Sequence, residues 1–201
     1  SYDPDFVCRI IVEDLTVGDN SDFDFNDVVF DVRKDGVLII RAIGGELPLY
    51  IFSQDEDHEV HKVCIGSLPG DTNIGKLSYT YMRNTGWGSG AGASTAIVHD
   101  ANLGEINTGR TCNSLDEAKS IGVWVKKASS PDPIELYAPV GKVASKICVG
   151  TDFEWCSERE DIDRKFRKKD GTKLFQQYVR GVSPYDNDDW TSERKTWYQY
   201  R

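Results

Sequence analysis

The sequence predicts a mainly β chain folded as an antiparallel, jelly-roll-like β-sandwich, with one or two short helices near its C-terminus. Three observations carry that prediction. Apolar runs are short, turn-forming residues separate them, and the longest strand-like stretch is folded in half by an Asp-Gly pair.

The strands can be taken in order. "FVCRIIVEDL" (6–15) opens the chain as a first strand, and "DVVFDVRKDGVLIIRAI" (27–43) follows as a hairpin. Its turn is Lys34-Asp35-Gly36, because Gly takes the positive φ that a tight hairpin requires. "LPLYIF" (47–52) and "EVHKVCIG" (59–66) continue the series. Later runs, "TAIVH" (95–99), "IGVWVKK" (121–127) and "IELYA" (134–138), are bounded mostly by Gly, Pro, Ser or Asp. "SEREDIDRKFRKKDG", from Ser157, has Glu160 in capping-box position and Ile162 and Phe166 on one helical face. A second short helix is expected over 173–180, stopped by Gly181. The segment 157–201, rich in Tyr and Trp, is expected to pack onto the sandwich, making residues 1–201 one domain.

Composition narrows the function. The 201 residues are 39% hydrophobic and 11% aromatic, enough for a sizeable core. With 24 Lys+Arg against 33 Asp+Glu, the net charge is −9, which argues against a phosphate-backbone partner; no nucleic-acid binding is expected. No apolar run reaches the roughly 20 residues of a membrane span. The chain begins at Ser1 without Met or signal peptide, as a mature or trimmed segment would. The five cysteines (Cys8, Cys64, Cys112, Cys148, Cys156) lack zinc-site spacing and read first as small buried residues.

"NSDFDFNDVVFDV" (20–32) is the densest chemical feature. In one extended strand, Asp22, Asp24 and Asn26 would share a face with Val28, Phe30 and Val32, so the chain should kink near Asn26 and Asp27. Residues 19–27 then form an oxygen-rich loop of the kind that binds Ca²⁺, which takes about six to eight oxygens. The loop is no EF-hand. Asp27 stands where the turn Gly belongs, Arg33 where the bidentate Glu belongs, and the flanks are β. Glu13 and Asp14, ending the preceding strand, can supply the missing ligands. The alternative is that Asp22 and Asp24 are solvated turn residues while Asn26 and Asp27 bond the backbone.

"IIVEDLTVGDNSDFDFNDVVFDV" (10–32) resembles the opening motif of the LruC-type domain. That family of exported and lipoprotein-like bacterial proteins, largely from Bacteroidetes, has no established activity. The acidic pair is Glu13-Asp14, the loop carries Asp19, and the aromatic-acidic block runs over 22–27 before Val28-Val29. "AIGGELPLYI" (42–51), "EVHKV" (59–63) and "KICVGTDFEWCSEREDI" (146–162) resemble later family segments, whereas roughly 66–144 matches little of the family. Where the family has Trp-Pro, this chain has Trp155-Cys156 and loses a rigid turn. The resemblance implies an exported, non-catalytic β-sandwich at the cell surface, outer membrane or periplasm. It implies a structural Ca²⁺ held by Glu13, Asp14, Asp22, Asp24, Asn26 and Asp27, with Asp19 at the margin of the set. Its partner would be a surface protein or a glycan, as for an adhesion module.

Two other classes remain open to the sequence. A carbohydrate-binding module would use exposed Trp87, Trp190 and Trp197, and a glycan-degrading enzyme would need two carboxylates in a separate cleft. "HEVH" (58–61) has the wrong spacing and context for zinc. "GWGSGAGAS" (86–94) lacks the Lys-Ser/Thr of a phosphate loop.

Overall fold

A computed structural model describes residues 4–15, 21–45, 47, 49–53, 61–65, 78–79, 83–86, 96–119, 121–137, 145–160, 162, 167–168, 190–191 and 197–199. The elements are β1 (Phe6–Val12), β2 (Val28–Arg33), β3 (Val37–Ile43), β4 (Leu49–Ser53), β5 (His61–Ile65), β6 (Ser78–Tyr79) and β7 (Gly104–Asn107). After them come α1 (Leu115–Lys119), β8 (Ile121–Val125), β9 (Ile134–Leu136), β10 (Lys146–Val149), β11 (Arg167–Lys168), β12 (Trp190–Thr191) and β13 (Trp197–Gln199). A six-stranded sheet runs β13-β10-β1-β2-β3-β7, and a five-stranded sheet runs β6-β5-β4-β8-β9. Pairing within them is antiparallel except between β5 and β6. The fold is the antiparallel β-sandwich that the turn-punctuated apolar runs predict.

The β2–β3 hairpin turns at Lys34-Asp35-Gly36 as expected, with Gly36 at φ 84°. Glycine is obligatory there twice over: a Cβ would also lie 1.5 Å from the Arg110 carbonyl oxygen.

Both faces of β1, β2 and β10 in the six-stranded sheet are largely buried. Its inner face contributes Cys8, Ile10, Val12, Val28, Phe30, Leu38 and Ile40 to a core shared with Leu49, Ile51, Val123 and Val125 of the opposite sheet. Its outer face carries Ile11, Val29, Ala42, Ile147 and Val149, roofed by Phe23, Phe25, Phe153, Trp155 and Ile162 from loops. This explains why "VVF" in β2 is a continuous apolar run rather than an alternating one. Cys8, Cys112, Cys148 and Cys156 are buried thiols.

Two local expectations are corrected. Residues 96–99 form no strand; the Asn84 side chain stands in for a partner strand, its Oδ1 accepting from Val98 N at 2.7 Å and its Nδ2 donating to Val98 O at 2.8 Å. At 157–160 the capping bond from Ser157 N to Glu160 Oε2 forms at 3.0 Å, yet no α-helix follows among the described residues, Ile162 lying in a 3₁₀ turn. Arg159 turns to φ 62° and its N–H goes to Asp24 Oδ2 at 2.8 Å, so the chain leaves the helical path. Downstream, Arg167–Lys168 is strand; the second expected helix, 173–180, lies outside the described residues. A helix does form at α1, where Ser114 Oγ accepts from Glu117 N at 3.1 Å and Glu117 Oε2 accepts from Asn113 N at 2.7 Å.

Candidate metal centre

Three strand ends meet at one end of the six-stranded sheet. β1 ends into Glu13-Asp14, β2 begins after Asp27, and β3 ends into Gly44-Gly45. Asp27 ties them together. Its N–H donates to Val12 O at 3.1 Å, and its carbonyl accepts from both Gly44 N and Gly45 N at 3.0 Å. The two glycines permit this approach, for a Cβ at Gly45 would come within 2.9 Å of Asp14 Oδ2.

The loop before β2 kinks, but earlier than the strand argument places it: Phe23 and Phe25 take φ of 57° and 54°. Such left-handed residues cost about 1–2 kcal/mol each for a side chain with a Cβ. Burial offsets that cost, since Phe23 is 2% exposed and Phe25 fully buried beneath the outer face. The alternation of Asp and Phe thus sends the rings into the core while the carboxylates stay with the strand ends.

The result is two overlapping carboxylate triads. Oxygens of Glu13, Asp22 and Asp24 lie within 4.8 Å of one another, and so do those of Glu13, Asp14 and Asp27. Glu13, Asp14 and Asp24 are 1–2% exposed and Asp27 is 9% exposed. Backbone amides orient them: Phe25 N donates to Glu13 Oε2 at 3.2 Å, Asp14 N to Asp27 Oδ2 at 2.6 Å, and Leu47 N to Asp14 Oδ2 at 2.9 Å. Burial and then the charges of Asp22 and Asp14 push the Glu13 carboxyl up to about 8. Asp24 and Asp27 are also raised well above the usual carboxylate range, by burial first and by neighbouring carboxylates second.

The structure therefore brings together Glu13, Asp14, Asp22, Asp24 and Asp27 as the sequence expects. Asn26 is fully buried beside them, with Nδ2 donating to Cys156 O at 3.2 Å. Asp19 lies outside the described residues. Sequence reasoning missed Glu158, whose charge also raises Asp24, and the Arg159 N–H that holds Asp24. The Glu-rich string after Trp155 was the available signal, read there as a helix start.

Of the aromatic platform, Trp87 lies outside the described residues, as does His58 of "HEVH", while Trp190 and Trp197 belong to β12 and β13. No protein-family model, no curated protein and no solved structure matches the chain. The class defined by fold and site is an antiparallel β-sandwich with a buried carboxylate cluster joining three strand ends.

Proposed function

We propose that this chain is a non-catalytic, exported, cell-surface or adhesion-type domain whose carboxylate cluster binds Ca²⁺ as a structural element. The observation that carries the reading is the burial of like charges. Five carboxylates from two segments face one another, four of them nearly inaccessible, and the charges felt by Glu13, Asp24 and Asp27 are those of further carboxylates. A hard divalent cation turns that repulsion into attraction, and an all-carboxylate donor set suits Ca²⁺ better than the softer transition metals. Burial also favours a structural role over a catalytic one, because substrate has no approach to groups 1–2% exposed. Resemblance to the LruC-type domain at 10–32 supports export and a surface partner, protein or glycan.

Thermal unfolding of metal-stripped protein, alone and with Ca²⁺ or Mg²⁺, tests the reading. At a hundredfold excess over Kd, Ca²⁺ stabilises by about 3 kcal/mol, which is a rise in Tm of roughly 5–10 °C for a domain this size. Asp24→Asn and Asp27→Asn abolish most of that rise. No Ca²⁺ shift at millimolar concentration in the parent protein would overturn it.

A further inference from the structure

The outer face of the six-stranded sheet holds a second polar assembly that shares no residue with the metal centre. Two β-bulges build it. Between β2 and β3 the register passes from Val29↔Ala42 to Phe30↔Ile40, so Arg41 is the extra residue; Ile40 packs in the inner core and Ala42 in the outer one. Between β1 and β2 it passes from Phe6↔Arg33 to Cys8↔Val32, which makes Val7 the extra residue and packs it on the inner core. The bulges thereby set Phe6, Arg9, Asp31 and Arg41 around one open cleft of about 400 Å³, walled also by His99, Asp100 and residues 151–154. Bulges that re-aim side chains recur beside functional sites.

The floor is rigid. Asp31 Oδ1 accepts from Arg9 Nε at 2.6 Å, and Oδ2 accepts from Arg9 Nη2 and Arg41 Nε, each at 2.8 Å. Arg9 Nη1 donates to Phe153 O at 2.6 Å, and its guanidinium lies 4.9 Å above the Trp155 ring. Arg41 Nη1 donates to the carbonyls of Asp100 and Ala101, both at 2.9 Å. Among the described residues nothing accepts from Arg41 Nη2, so two directed N–H donors remain for a ligand.

We propose that this cleft binds a neutral saccharide, such as the end or a short stretch of a glycan chain. The charge pattern selects the ligand. Two guanidiniums line the cleft with four carboxylates, Asp31, Asp100, Asp152 and Glu154. An anion meets the rim carboxylates Asp152 and Glu154, and a cation meets the guanidinium floor. Hydroxyl groups donate to the first and accept from the second, so a polyol satisfies both. Phe6, whose ring packs 5.6 Å from the Arg41 guanidinium, and His99, whose ring meets Trp155 edge-on at 5.1 Å, complete the lining with carbon surface. The volume lies within the range of about 300–1,000 Å³ usual for small-ligand pockets. Nothing in this inference rests on the calcium reading.

The test is calorimetric titration of the intact chain with neutral oligosaccharides derived from cellulose, xylan, chitin, starch and mannan. Pectin-derived acidic oligosaccharides and spermidine serve as the charged comparison. At least one neutral oligosaccharide binds with submillimolar Kd, and Asp152→Ala and Glu154→Ala, both at exposed positions, each weaken it about tenfold or more. Arg41→Lys keeps the charge beside Asp31 but removes Nη2, and weakens binding comparably. Binding to none of the neutral panel, binding confined to the charged probes, or affinity indifferent to both rim variants would each overturn the proposal.

Discussion

Lys146 places an ammonium group inside the sandwich, where Cys148 two residues on belongs to the apolar core. It is 1% exposed and its Nζ donates to Ile121 O of β8 at 2.9 Å. Burial lowers its pKa from 10.5 to about 8, with smaller opposing influences from Glu135 and two cysteines. Below pH 8 the amine is protonated in both folded and unfolded states, and the folded state carries the full desolvation cost. Between about 8 and 10.5 the unfolded chain holds the proton and the folded chain does not, so this group raises stability as pH increases. Cys112 works in the opposite sense, because burial pushes its thiol up to about 11. The informative quantity is accordingly the difference between the parent and Lys146→Met across pH 7–11 in urea unfolding. Relief of desolvation is worth about 3 kcal/mol and the lost hydrogen bond about 1. The variant is therefore more stable by about 1–2 kcal/mol at pH 7, and its advantage shrinks through pH 8–10.5; an advantage constant with pH would refute the assignment. Nothing in the sequence marks Lys146, since a lysine beginning an apolar run reads as a solvent-facing strand end.

At the scale of elements, the candidate metal centre depends on how closely the end of β3 approaches the start of β2. A Cβ at Gly44 would lie 2.4 Å from Asn26 Oδ1 and 2.8 Å from Asn26 O. Asn26 has little room to retreat, because its Nδ2 is tied to Cys156 O. Gly44→Ala should then cost about 1–3 kcal/mol, as overpacking does elsewhere, and displace Asp27 enough to lower Ca²⁺ affinity. Gly109→Ala is the control. A Cβ there meets nothing within 4 Å, but φ is 73°, so the cost is about 1 kcal/mol of backbone strain with Ca²⁺ affinity unchanged. Equal affinity losses in the two variants, read by calorimetry, would show that the glycine pair does not shape the site. The same elements show what the sequence made legible. Short apolar runs bounded by turn residues, with one Asp-Gly turn, located β1 to β5, β8 and β9 to within a few residues, because each strand buries apolar side chains. β7 was missed, since "GEIN" holds one apolar residue, Ile106, and its backbone pairing leaves no other trace. The cluster of Glu13, Asp14, Asp22, Asp24 and Asp27 was legible because like charges so crowded demand a reason. The Arg9–Asp31–Arg41 assembly was not, because a bulge rather than a periodicity puts Arg41 beside its partner.

For the whole molecule, the proposed Ca²⁺ would compete with protons for the same carboxylates, so its effect on stability should grow with pH. Glu13 titrates near 8 in the folded metal-free domain against an ordinary 4.5. A raised carboxyl pKa means that the folded state binds the proton more tightly than the unfolded state. Its contribution is fully present below pH 4.5 and is lost as pH rises through about 8. Asp24 and Asp27 shift in the same direction and add to the slope. Metal-stripped protein should therefore melt at a lower temperature at pH 8 than at pH 5.5. Ca²⁺ requires ionised ligands, so its binding releases protons and its apparent affinity climbs over the same interval. The Ca²⁺-induced rise in Tm is accordingly larger at pH 8 than at pH 5.5, and the two melting curves diverge as pH increases. Glu13→Gln removes the shared carboxylate of both triads, flattening the metal-free pH dependence and reducing the Ca²⁺ response together. Differential scanning calorimetry at the two pH values, with and without the ion, decides the matter. A Ca²⁺ effect independent of pH would place the ion away from these carboxylates, and a Glu13→Gln variant that lost only one of the two dependences would separate the protons from the metal.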